Sequence, residues 1–412
     1  MAIDQRLSAI RERITTTIRR NSDRGFLSYR GCDQVCMEMF SILEEAEQCQ
    51  DQKLVFDIYM LVLLRMMKII SSADTSSGMA TDVIQTCFAN IEELCQNADE
   101  IHHKYFFDTI IKGAKNKVFQ GWGDDSYELL KSAVYFVCNK KQAQKIMDIF
   151  PLLGASYNGN PYPAQLLITL AMIERLDGAE AADRYMMEHI DVPEMRMHAV
   201  EKALESKHYL RVEALCHEAI KGNIRGHYGR RSPWAYYLER LYTQTAQQEK
   251  LLKIVQFILL QRDTSYFQKL KDMYVAQNVW EERQEPLWQE LSKALAPHEF
   301  AALLADEGEV YKLLDVVTLH PTYVFHYGKQ LAGSFPAETY EMFETCIVEE
   351  AQAATDRRKY RQVCRMIKDF AAAGAKGKAI ELIDRFVAMF PRRPAMLEEL
   401  AAAKNKLEKH KK

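Results

Sequence analysis

The chain has 412 residues but only 17 glycines and 11 prolines; average usage, about 7% and about 5%, would give on the order of 50 together. That shortage excludes a Gly/Pro-punctuated β-sandwich, a collagen-like chain and a low-complexity disordered polymer. Hydrophobic residues make up 48% and charged residues 27%, the balance of an ordinary globular protein. A chain this long exceeds what one compact core supports, so several domains or a repeat array is expected. The formal net charge of −3 points by itself to no class of partner.

Residues 1–30 contain no apolar signal-like region. The most apolar stretch, Ile58–Leu64, is closed by Arg65 and Lys68. A membrane span needs about 20 apolar residues, so this segment is expected to be a buried helix and no membrane contact is expected. Nine scattered cysteines read as free core hydrophobes, which fits a reducing cytoplasm. Cys32 and Cys36 share one helix face, but no second Cys or His pair follows at zinc-ligand spacing. Gly121-Trp122-Gly123 lacks the third glycine of a dinucleotide fingerprint.

Apolar residues recur with a period of 3.6 along nearly the whole chain. Ser232-Pro233 reads as an N-cap followed by proline at the first helical position, and Gly178, Gly308 and Gly333 sit in short connections. Over Asp356–Gly374 the stripe is Tyr360, Val363, Cys364, Ile367, Phe370 and Ala371. After Gly374 it is Ala379, Ile380, Ile383, Phe386, Val387 and Phe390, closed by Pro391 and Pro394. The pattern predicts an all-α protein of roughly twenty helices, an α-solenoid of stacked antiparallel helical hairpins. The hairpins are only degenerately tetratricopeptide-like: Ala379 and Pro391 keep that repeat's spacing, but its Trp-Leu-Gly-Tyr part is missing. Breakers crowd residues 151–163, PLLGASYNGNPYP, which divides the chain into an N-terminal array, 1–150, and a C-terminal array, 164–412.

RGFLSYRGCDQVCMEMFSILEEAEQ (24–48) with the SSADTSSG loop (71–78) resembles the start of the helical region that follows the zinc finger in uncharacterised bacterial SWIM zinc finger proteins. RRKYRQVCRMIKDFAAAGAKGKAIELIDRFVAMFPRRPAMLEEL (357–400) resembles the end of that region, and WEERQEPLWQEL and ADEGEVYKLLDVV are similar in character. The family's metal motif, C-x-C then C-x-H, is absent from this sequence. The resemblance therefore implies a helical platform in a bacterial cytoplasm and carries over no metal.

Other motifs argue against catalysis. The stretch 371–379, AAAGAKGKA, lacks both the first glycine and the hydroxyl residue of a Walker A loop, and no H-E-x-x-H or G-x-S-x-G occurs. No catalytic residue, cofactor, metal or small-molecule substrate is expected.

The charge is unevenly spread. Residues 357–412 hold 16 Lys/Arg and 6 Asp/Glu, net +10, which leaves −13 for residues 1–356. Arg358, Arg361, Arg365 and Lys368 fall within about 80° of arc along about 15 Å of one helix face, roughly opposite its apolar stripe. Arg357, Arg358 and Lys359 would occupy the first turn, where the helix dipole disfavours cations by about 0.3–1 kcal/mol each. Arg392 and Arg393 follow in the closing loop, and the tail KNKLEKHKK reads as a frayed end. This set, Arg357, Arg358, Arg361, Arg365, Lys368, Arg392 and Arg393, is the candidate anion- or partner-binding surface. A weaker candidate is the loop with Arg225, His227, Arg230 and Arg231 leading into Trp234 and Tyr236, the composition of a single-strand nucleic-acid site. The expected function is a non-enzymatic scaffold that binds another protein; the alternative is a nucleic-acid-associated protein using these two basic sites.

Overall fold

A computed structural model describes the chain except residues 1–2, 120, 154–160, 225–230 and 410–412. It divides into two compact units, Met1–His227 and Tyr228–Lys412. The segment 151–163 lies inside the first unit.

The first unit contains α1 (Ile3–Asn21), α2 (Tyr29–Glu47), α3 (Gln52–Ile69), α4 (Met79–Gln96), α5 (Glu100–Ala114), α6 (Gly123–Ala133) and α7 (Lys140–Met147). It continues with α8 (Phe150–Leu153), α9 (Pro163–Asp177), α10 (Ala179–Glu188), α11 (Pro193–Glu205) and α12 (Tyr209–Lys221). The second contains α13 (Pro233–Gln244), α14 (Gln248–Leu260), α15 (Phe267–Ala276), α16 (Trp280–Ala294), α17 (Pro297–Glu307) and α18 (Val310–Leu319). It ends with α19 (Val324–Leu331), α20 (Pro336–Ala353), α21 (Arg357–Phe370), α22 (Lys376–Met389) and α23 (Pro394–Lys409). Within each unit helices pack mainly on the next one or two in sequence, as α3 does on α4 and α5, and α21 on α22 and α23. The chain is therefore an all-α array of stacked helical hairpins.

In the first unit α3 is the hub, packed on α1, α2, α4 and α5. Ile58, Tyr59, Met60, Val62 and Leu63 are buried, and Phe56 stacks on Phe106 of α5 at 4.1 Å between ring centres. No described helix is long and apolar enough to cross a membrane. Between α1 and α2 the chain makes a small hairpin, Ser22–Asp23 against Phe26–Leu27, turned at Arg24 and Gly25, both at positive φ. Leu27 then anchors the polar loop after α3, because its carbonyl accepts from the Asp74 N–H at 2.8 Å. Gly31 lets α2 approach the end of α1, since a Cβ there would lie 2.5 Å from the Asn21 carbonyl oxygen.

In the second unit the stripe of α21 is buried as the periodicity requires: Tyr360, Val363, Cys364, Ile367 and Phe370. Each large side chain of this kind contributes about 1.5–3 kcal/mol on full burial. Gly374, at φ 103°, breaks the path into α22. The face of α22 differs from expectation: Ala379, Leu382, Ile383 and Phe386 are buried, whereas Val387 is 43% exposed. The stripe follows i, i+3, i+4 and i+7 from Ala379, and Val387 lies about 40° past its edge at Ile383. Ser232 does occupy the N-cap position of α13, but its hydroxyl has no partner among the described residues; its backbone N–H donates to Gln261 Oε1 at 2.8 Å instead. The tail is not frayed over its described length. Residues 404–409 belong to α23, where Met396, Leu400 and Ala403 are buried and Lys404 pairs with Asp384.

Six helix ends share one geometry. Lys207, Asn223, Ala246, Arg262, Asn278 and Gly308 have positive φ. The residue after each donates its N–H to the carbonyl five residues back: His208 to Ala203, Ile224 to Ala219, Gln247 to Tyr242, Asp263 to Ile258, Val279 to Tyr274 and Glu309 to Leu304, at 2.8–3.4 Å. These are Schellman turns, which satisfy carbonyls that the helix end would orphan. In five of the six the left-handed residue is not glycine, at a cost of roughly 1–2 kcal/mol for an ordinary side chain. Ala246 is exposed and loses no packing on truncation. Ala246→Gly should therefore raise stability by about 0.5–1 kcal/mol, read as a shift of the urea midpoint at unchanged slope.

Candidate functional site

The helix that carries the basic stripe begins at an N-cap, Asp356, whose Oδ1 accepts from the Lys359 N–H at 3.0 Å. That bond and the neighbouring Arg358 N–H hold the Asp356 carboxyl below its ordinary range. A negative cap at the helix N-terminus offsets the cations of the first turn. Arg357 is further compensated from α23: it pairs with Glu398, and its Nε donates to Glu399 Oε1 at 2.9 Å. Arg361 Nε donates to the same oxygen at 3.0 Å. The hydrogen bonds from Arg357 and then Arg361 keep Glu399 below the usual glutamate range. The broken rule at residues 357–359 thus has compensation that the sequence did not reveal.

The stripe of α21 keeps Arg358, Arg361 and Arg365 exposed and Lys368 half-exposed. It borders a groove of about 440 Å3 between α21 and α23. Arg357, Arg358, Arg361, Arg365 and Lys368 line one side, Lys406 adds a sixth cation from α23, and Cys364, Ala402 and Ala403 lie between them. Glu399 is the sole carboxylate among the described residues of this lining and is engaged by Arg357 and Arg361. The side chains of Arg358, Arg365, Lys368 and Lys406 make no ion pair among the described residues. Among the described residues no aromatic ring lines the groove. Such a surface offers point charges and guanidinium forks to an anion and no face for a planar ring.

Arg393 has a different task. Its Nη1 donates to the carbonyls of Ala351 and Ala354, both at 3.0 Å, and its guanidinium lies 4.5 Å from the centre of the Phe390 ring. It closes the C-terminus of α20, where a cation is favoured. Arg392 is exposed and is not part of the groove lining.

Of the weaker candidate, Arg225, His227 and Arg230 lie outside the described residues. Trp234 is fully buried in the core and has no face to offer a base. Arg231 and Tyr236 converge on the buried carboxylate of Asp263, with Arg231 Nη1 at 3.0 Å and the Tyr236 hydroxyl donating at 2.7 Å. Ser265 donates to the other oxygen at 2.6 Å, and Arg231 Nη2 donates to the Arg262 carbonyl at 3.1 Å. Burial acts to raise the Asp263 pKa, but the Ser265 and Tyr236 hydroxyls and Arg231 outweigh it and hold the carboxyl below its ordinary value. Burial, then the same carboxylate, pushes the Tyr236 phenol up to about 12. This cluster ties the start of α13 to the turn between α14 and α15.

The nine cysteines are unpaired, and seven are buried. Burial raises the Cys32 thiol and pushes Cys36 up to about 12, so neither supplies a thiolate at neutral pH. No group of three or more His, Cys, Asp or Glu side chains suited to a metal occurs among the described residues.

The Asp263 cluster has a pH signature. Because the carboxyl is depressed in the folded chain, its contribution is present above the unfolded value of about 3.9 and is lost as pH falls through the folded value. Asp263→Asn should cost about 1–3 kcal/mol at pH 7, and the gap between variant and parent should close on acidification below the ordinary aspartate range, followed by urea unfolding.

Neither a family model nor a curated protein matches the chain. Among solved structures, the chain is similar to the tetratricopeptide-repeat domain of P58(IPK), at 12% identity over 92% of this chain and 99% of that one, with a TM-score of 0.22. It is also similar to a circular tandem repeat protein of novel repeat topology, at 11% identity over 99% and 95% of the two chains, with a TM-score of 0.23. At these scores the fold rests on the helices described above, not on the likeness.

Proposed function

We propose that this chain is a non-catalytic helical-repeat scaffold of a bacterial cytoplasm, and that the groove between α21 and α23 holds an acidic segment of a protein partner. The observation that carries this reading is the lining itself: among the described residues, four exposed or half-exposed cations without ion pairs around a small-residue floor, with no ring for a base to stack on. Carboxylate side chains need only charge-assisted hydrogen bonds from such a surface. Single-stranded nucleic acid gains much of its sequence-tolerant affinity from stacking, which this groove does not offer. Stacked helices that present a rigid surface suit partner binding. The seven buried cysteines fit a reducing compartment. The likeness of residues 24–48 and 357–400 to the helical region of SWIM zinc finger proteins belongs to the same proposal.

The test uses the full chain, a fluorescein-labelled Asp/Glu-rich peptide and a labelled DNA duplex, both read by polarisation. The peptide should bind, and Arg358→Glu with Arg365→Glu should weaken it roughly tenfold, given about 0.5–1 kcal/mol per exposed charge pair. Preferential binding of the duplex, with affinity falling linearly in log salt, would replace this reading with the nucleic-acid one. Binding of neither probe would remove the groove from consideration.

A further inference from the structure

The first unit contains a second basic concavity, in the part of the chain whose net charge is −13. It measures about 760 Å3, within the range of about 300–1,000 Å3 common for ligand sites. Four cations converge on it from three separate elements: Arg11 of α1, Arg65 and Lys68 near the end of α3, and Lys117 in the turn after α5. Among the described residues no carboxylate lines it, and none of the four cations makes an ion pair. Arg65 is half-buried. A guanidinium partly removed from water without a counter-charge is costly, and an anion in the cavity would offset that cost.

The same cavity has a ring at its edge. Trp122 stands between Gly121 and Gly123, at the N-cap of α6, and is 44% exposed. Its backbone N–H donates to the Phe119 carbonyl at 2.9 Å, which fixes the turn that presents the indole. The other tryptophans differ, with Trp234 and Trp288 buried and Trp280 half-buried. Leu61, Leu64, Met67 and Val118 supply apolar lining, and Ser71 and Asn116 supply polar atoms. An acidic peptide would use the cations and leave the indole and the apolar wall idle. A nucleotide uses all three, with phosphate on the cations and base against Trp122.

We propose that Arg11, Arg65, Lys68, Lys117 and Trp122 form a binding site for a nucleotide unit, either free or as part of a single strand. The site stands independently of the groove between α21 and α23. The experiment reads intrinsic tryptophan emission of the full chain during titration with ATP, and separately with a short oligothymidylate. Emission should be quenched saturably, since Trp122 is the most exposed of the four tryptophans. Trp122→Ala should abolish the quench and weaken polarisation-measured binding of labelled oligothymidylate roughly tenfold, whereas Trp122→Phe should retain most of the affinity. Arg65→Gln should weaken binding and flatten its salt dependence. Both changes lie at a partly solvated rim, and unchanged thermal unfolding verifies that the variants fold. Saturation by ATP identifies free nucleotide as the source; saturation by the oligonucleotide alone identifies a strand. Arg358→Glu with Arg365→Glu should leave this binding unchanged, so the two proposals fail separately. The proposal is overturned if neither probe alters emission or polarisation at low salt. It is equally overturned if Trp122→Ala and Arg65→Gln leave affinity unchanged, or if oligoglutamate binds as tightly and regardless of residue 122.

Discussion

No helix in this chain can bury its apolar stripe alone, and each described unit is built to meet that one need. The stripe of α21 is five residues long, and its neighbours α20, α22 and α23 are what remove it from water. In the first unit α3 is apolar around most of its circumference and is enclosed by four helices. Local packing of this kind makes stability a sum over adjacent helices. It also leaves outward faces free to carry charge without strain on the core, and the basic groove lies on such a face.

What the sequence disclosed follows from this. Helical periodicity, the break at Gly374 and the burial of Tyr360 through Phe370 are properties of one segment, and one segment is enough to read them. The partner of a stripe is not. KNKLEKHKK is so polar that it reads as an end, yet residues before it, Met396 and Leu400, seat α23 against its neighbours and make the stripe one wall of a groove. Arg393 looks like one more cation in a basic run, but its donors are spent on the carbonyls of α20 some forty residues earlier in the chain. The same limit hid the first-unit cavity, whose cations come from three distant stretches of an acidic region.

Local chemistry can also be illegible when the residue type is unusual for its conformation. Left-handed turns are normally announced by glycine. Here Lys207, Ala246 and Arg262 adopt them, and nothing in their side chains signals it. At Arg262 the side chain gains a role in exchange: its Nε donates to Glu299 Oε2 at 2.7 Å, and that carboxylate also accepts from the Ala296 N–H at 2.9 Å to close the start of α17. A glycine would relax the backbone but sever that link.

The spacing of those turns reaches further than their strain. Lys207 and Asn223 are 16 residues apart, as are Ala246 and Arg262, and Arg262 and Asn278. One helix and one turn thus recur at fixed length, with the bonds that end each helix contained inside its own segment. Such a segment is a unit of growth. Duplication or loss of one would lengthen or shorten an array while its neighbours keep their own terminal hydrogen bonds, so arrays of different reach can descend from a single module without any change to the rules of packing.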